Sequence, residues 1–96
     1  MPVTVLIDRT FKPEGLQKAY EVIVKLRSLA TLEPGYISGQ TLVSTTNPNR
    51  LVVMSTWATV QNWNQWRDSE LRKQQVQKLE PLSESPEKVD VLMVVV

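Results

Sequence analysis

Trp57, Trp63 and Trp66 fall close together in a chain that holds neither histidine nor cysteine. An indole offers a flat apolar wall to an aromatic ligand, but it is equally a large core filler. Trp57 is therefore assigned to the core, and one of Trp63 and Trp66, a helical turn apart, to a ligand pocket. Asp8 is the second candidate for chemistry, in a run where its face-mates are Thr4 and Leu6. A carboxylate partly buried there has its charged form disfavoured, which raises its pKa toward the range of a general base. The alternative for Asp8 is a solvated strand end or a pair with a lysine.

What is missing narrows the chemistry. Without histidine the commonest base and metal ligand is gone, and without cysteine there is no disulfide, thiolate nucleophile or thiolate zinc site. The carboxylates are spread along the chain without metal-ligand spacing, so no metal is expected. Gly15, Gly35 and Gly39 stand singly, which is not a phosphate-cradling loop. Net charge is +1 with acids and bases interspersed, so neither a nucleic acid nor an anionic membrane is an expected partner. The longest apolar run, Val91–Val96, is far too short to span a bilayer, and the first residues lack a signal-peptide layout. A cytoplasmic protein is expected. What remains for function is a small-molecule pocket.

The elements that must position these residues can be read from periodicity. Val3 to Arg9 alternates as a strand. Thr10 to Gly15 breaks it, and an amphipathic helix follows to Leu32 on the stripe Leu16, Ala19, Tyr20, Ile23, Leu26 and Ala30. Glu33-Pro34-Gly35 ends that helix. Tyr36 to Thr45 and Arg50 to Trp57 form a hairpin around Thr46-Asn47-Pro48-Asn49. Thr59 is placed to cap a second helical region, which breaks near Asp68-Ser69 and runs on to Leu79. Pro81 and Pro86 bracket a Ser/Glu-rich loop, and Val89 to Val96 is the last strand.

The order β-α-β-β-α-β is the ferredoxin-like arrangement of an α+β domain, spanning residues 1–96, with two helices on one face of an antiparallel four-stranded sheet. Fold alone does not assign function. The third strand, Leu51-Val52-Val53-Met54, lacks the stacking aromatics of an RNA-recognition sheet. It and the last strand read as apolar on both faces, whereas a sheet with one wet face alternates. A second copy packed sheet against sheet, a homodimer, is the economical cover.

With these elements in place the chain resembles the antibiotic biosynthesis monooxygenase family of dimeric α+β barrels. The resemblance rests on the element order, on Glu33-Pro34-Gly35-Tyr36 opening the second strand, and on the stretch from Trp57-Ala58-Thr59 to Trp66-Arg67-Asp68-Ser69. Many members carry histidine at the position of Trp66, whereas the haem-degrading branch carries tryptophan there and an asparagine at the position of Asp8. That branch's haem-ligating histidine falls on Val76 here. Valine cannot bind iron, so haem degradation is not implied. The resemblance implies a monooxygenase without metal or flavin cofactor, oxidising a small quinol- or anthrone-like aromatic with O2. In that reading Asp8 is the base, Trp66 the stacking wall, Asn62 a hydrogen-bond donor to a substrate oxygen, and Trp63, Tyr20 and Tyr36 line the substrate site. The rival expectations are a dimer that binds a small ligand without catalysis, and an isomerase on the same scaffold.

Overall fold

A computed structural model describes residues 1–96. Its strands are β1 (Val3–Thr10), β2 (Tyr36–Val43), β3 (Arg50–Trp57) and β4 (Lys88–Leu92); its α-helices are α1 (Leu16–Ala30), α2 (Val60–Arg67) and α3 (Glu70–Leu79). The sheet runs β2-β3-β1-β4, antiparallel throughout, so β1 and β3 are central and β2 and β4 are edges. This is the α+β arrangement expected from sequence, with the second helical segment split in two.

The split has a local cause. The Ser69 hydroxyl donates to the Trp66 carbonyl at 2.8 Å and accepts from the Arg72 backbone N–H at 3.2 Å. One side chain thereby closes α2 and starts α3. Thr59 caps α2 as its position suggested, its hydroxyl accepting from the Asn62 N–H at 3.1 Å. β2 stops at Val43, two residues short of the expected Thr45, because the Ser44 hydroxyl takes the N–H groups of Thr46 and Asn47 and begins the turn. Helix α1 ends at Ala30, and Gly35 carries the one positive φ in the chain, 83°. A Cβ at Gly35 would strike the Asn62 side chain, so glycine serves both backbone sign and close packing there.

Period two in β1 sets the two faces of the sheet. Val3, Val5, Ile7 and Arg9 are buried beneath the helices. Trp57 and Leu51 of β3 join them, against Ala19, Val22, Ile23, Leu26 and Ala30 of α1, Trp63 and Trp66 of α2, and Leu79 of α3. On α1 the buried stripe uses Val22 where the periodicity suggested Tyr20, which is 38% exposed. Full burial of one large apolar side chain contributes on the order of 2–3 kcal/mol, so Phe11, Trp57 and Trp63 are major stabilising residues.

The other face is bare of helices, and it is less apolar than the sequence suggested. Cross-strand partners share a face, which puts Leu6, Met54, Val52, Leu42 and Leu92 there among Thr4, Asp8, Thr10, Arg50, Lys88 and Asp90. The expectation of a last strand apolar on both sides from Val89 to Val96 is corrected. β4 ends at Leu92, which pairs with Thr4 near the start of β1, and its residues alternate. Met93–Val96 extend past the sheet, fully apolar and exposed.

Candidate functional site

Between the helix-covered face and α1, α2 and α3 lies a cavity of about 50 Å³. Ile7, Val53 and Ser55 form its floor, Trp57, Trp63 and Trp66 one side, and Leu26, Arg27, Ala30, Tyr36 and Gly39 the other, with Arg9 and Arg72 at its polar end. Each wall has a local reason for its position. Trp63 and Trp66 are a helical turn apart on the buried face of α2, which the Thr59 cap anchors at one end and Ser69 at the other. Trp57 packs edge-on against Tyr36 at 5.3 Å between ring centroids and against Trp63 at 6.0 Å. Its indole N–H donates to the Ser55 hydroxyl at 3.0 Å, so the buried polar edge is satisfied. Gly39 has no side chain because the Tyr36 hydroxyl occupies that space: a Cβ would lie 2.5 Å from it.

The electrostatics of the site come from residues that the sequence pattern did not single out. Arg9 is 4% exposed, donates from Nε to Glu87 at 2.9 Å, and places Nη2 2.7 Å from the same oxygen. Arg72, also buried, reaches the other oxygen of Glu87 at 3.2 Å and holds its guanidinium 5.3 Å from the centre of the Trp63 ring. Two guanidiniums therefore share one carboxylate, leaving one net positive charge at the wall of the cavity. Burial pushes the Glu87 carboxyl up, but the charges and hydrogen bonds of Arg9 and Arg72 outweigh it and hold the group below its ordinary 4.5. Burial pulls the Arg9 guanidinium down, Glu87 opposes that, and Arg72 adds to it. All protein hydrogen bonds that these two guanidiniums donate go to Glu87, and no buried polar side-chain atom lacks a partner. Their remaining N–H groups thus face accessible space, where an anion can take them.

The residues named from sequence separate into three groups. Trp63, Trp66 and Tyr36 line the cavity together. Tyr20 lies outside it, facing a shallow apolar groove with Val24, Leu42 and Val43. Asn62 is not among the lining residues: it braces the start of α2, its Oδ1 accepting from the Thr59 hydroxyl at 2.8 Å and its side chain packing on Gly35. Asp8 is corrected in both place and pKa. It projects from the bare face of the sheet, where Arg50 grips both its oxygens, the shorter contact being 2.6 Å. Those hydrogen bonds to Arg50 outweigh a smaller burial effect and hold its pKa below the ordinary 3.8. Asp8 and Trp66 do not share a cavity, and no carboxylate in the site has a raised pKa.

Arg9 was legible in principle. The apolar alternation Val3, Val5, Ile7 continues onto it, and an arginine on an apolar face requires a buried carboxylate. Arg72 likewise shares one face of α3 with Val76 and Leu79, at i+4 and i+7. Val76 packs against the core and borders a second, open cavity of about 460 Å³ beyond Glu87. No cluster of three or more His, Cys, Asp or Glu forms a metal-holding group, and no helix is long and apolar enough to cross a membrane.

Comparison with known proteins agrees with this architecture. The family model described as antibiotic biosynthesis monooxygenase matches residues 2–78. Among solved structures, Rv0793 from Mycobacterium tuberculosis is 18% identical with a TM-score of 0.91, covering 100% of this chain and 97% of that one. SnoaB from Streptomyces nogalater, described as a cofactor-independent oxygenase, is 14% identical with a TM-score of 0.89, covering 99% of this chain and 94% of that one. A conserved protein from Methanosarcina mazei is 19% identical with a TM-score of 0.90 over 95% of this chain and 90% of its own. At these identities the likeness is one of fold. No curated protein matches the sequence significantly.

Proposed function

Because the chain belongs to the antibiotic biosynthesis monooxygenase family, we propose that it oxidises a small quinol- or anthrone-like aromatic with O2, using no bound cofactor. The observation that carries this reading is the pair of buried guanidiniums, Arg9 and Arg72, sharing the single carboxylate of Glu87 beside the walls of Trp63 and Trp66. The substrate's acidic hydroxyl or methylene loses its proton, and the anion is stabilised by the free N–H groups of Arg9 and Arg72 in a site of low dielectric. The anion passes one electron to O2. Recombination of the resulting radical with superoxide and a proton gives a hydroperoxide, and loss of water leaves the new carbonyl: one CH2 and one O2 become C=O and H2O.

With neither Asp8 nor a raised-pKa carboxylate at hand, the protein works by acidifying its substrate. The proton leaves to solvent. Trp66, Trp63 and Tyr36 bind the ring, and Arg9 and Arg72 hold the charge. The isomerase alternative loses its base with Asp8 and gains no support.

The lining of the inner cavity, which holds three arginines and no carboxylate or histidine to act as a base, favours a second reading, a dimer that binds an aromatic anion without turning it over. Oxygen uptake with a panel of anthrones and quinols separates the two. Uptake above the uncatalysed rate that falls in Trp66→Ala and Arg72→Met supports the oxygenase. Binding of the panel without uptake supports the second reading, and neither binding nor uptake rejects both. In either case the apolar strip Leu6, Val52, Met54 and Leu42 on the bare face supports a homodimer, and sedimentation at micromolar concentration tests it: Leu6→Lys turns a two-chain mass into that of one folded chain.

A further inference from the structure

The cavity as it stands is too small for its ligand. A void that holds one benzene ring measures about 150 Å³, against about 50 Å³ here. Ring entry therefore has to push one wall away from another. The tryptophans, between 1% and 4% exposed, are the tightest packed of them. The seam between α1 and the edge strand β2 is different. It is held by one hydrogen bond, from Arg27 Nη2 to the Gly39 carbonyl at 2.6 Å, and Arg27 has no carboxylate partner. Just outside the seam lies an open cavity of about 430 Å³ lined by Val24, Ser28, Thr31 and Thr41, and Arg27 borders that cavity as well as the inner one.

We propose that Arg27 is a specificity-determining residue that receives a carboxylate on the outer edge of the substrate. The proposal deepens the reading above and rests on it. A ring that separates α1 from β2 takes Arg27 off Gly39 and leaves a guanidinium at the boundary of the two cavities. A carboxylate arriving there replaces a neutral carbonyl with a charged, bidentate acceptor. The substrate class is then an aromatic hydroxy acid. Its ionised hydroxyl lies inward on Arg9 and Arg72, and its carboxylate outward on Arg27. A substrate with no outer anion forfeits the Arg27–Gly39 bond on entry and receives nothing for it.

The probes are a dihydroxyanthraquinone carboxylic acid and its methyl ester, which are not oxidised further, with calorimetry as the readout. The native protein binds the acid about ten-fold more tightly than the ester, the scale of one charge-assisted hydrogen bond at a partly solvated site. Arg27→Gln brings that ratio close to one, Arg27→Lys keeps some of it, and Arg27→Glu inverts it. Equal affinity for acid and ester in the native protein, or a preference that survives in Arg27→Gln, overturns the proposal and leaves the cavity reading standing. If neither compound binds, the cavity reading itself fails and this one falls with it.

Discussion

Asp8 and Arg9 are adjacent in β1 and end in opposite environments. Asp8 faces the bare side of the sheet, and its partner Arg50 is nearly half exposed. Arg9 faces the helices and is 4% exposed, with Glu87 and Arg72 completing a cluster drawn from three distant stretches of the chain. Both are ion pairs of excellent geometry. What separates them is water. An exposed pair gains little because solvent screens it and its side chains must be held still. In a buried cluster each member is needed because the others have lost their hydration. The comparison teaches that hydrogen-bond length is a poor guide to which charges matter here, and that one step along a strand decides it.

The sharpest test of the contrast is removal of Glu87. Glu87→Ala strands two guanidiniums in the core and destabilises the fold by about 3 kcal/mol, toward the low end for breaking a buried pair because Glu87 keeps 23% of its side chain exposed. Urea unfolding at neutral pH measures it. A loss no larger than that of an exposed pair would mean the cluster is solvated and the two faces are alike.

Acidity sharpens the same point. Glu87 has a folded pKa below 4.5, so its contribution is present above its unfolded value and is lost as pH falls through the folded one. The native protein then gives up what Glu87→Ala never had. The gap between their urea midpoints is widest near neutral pH and closes below pH 4.5. A gap constant down to pH 3 would contradict the depressed pKa.

Arg72 tests the face as a site. Arg72→Met keeps the stem of the side chain over Trp63 and leaves Arg9 and Glu87 as a neutral pair. The expected result is about ten-fold weaker binding of an aromatic anion, with the affinity for its neutral analogue changed much less. Titration of both ligands by indole fluorescence reads the difference directly. Equal losses for both would make Arg72 a packing residue alone.

Much of the frame was legible because its signals are local. Thr59 and Ser69 cap helices through hydroxyls bonded three residues on, and Arg50 to Trp57 forms a strand with the expected bounds. Trp66 and Trp63 could be placed on one helical face from their spacing. The charge cluster was harder to find because Arg9 and Glu87 are 78 positions apart, with no local pattern joining them. The buried charge of β1 stands one residue beyond Asp8: Asp8 shares a face with Thr4 and Leu6, whereas Arg9 is the charge that continues Val3, Val5 and Ile7. Apolarity at the end of the chain misled for another reason. Valine-rich composition reads as strand whether or not a partner strand extends far enough to pair with it.

The smallest effect is the most decisive for the comparison, and it is expected at Asp8. Asp8→Asn removes the charge that Arg50 grips but keeps a hydrogen-bonding side chain of the same shape. Its folded pKa is lowered mainly by the hydrogen bonds from Arg50, so whatever it stabilises is present above its ordinary 3.8 and fades as pH falls below that. In the Leu6→Lys background, where the bare face belongs to a single chain, screening at neutral pH and physiological salt leaves a urea midpoint barely distinguishable from that of Leu6→Lys alone. Ligand affinity and oxygen uptake are unchanged, because the sheet itself lies between this carboxylate and the cavity. A large drop in stability without Leu6→Lys would show that a second copy desolvates the pair on the bare face. A loss of turnover at native stability would return Asp8 to the chemistry, and the sheet would then have a working side opposite the one assigned here.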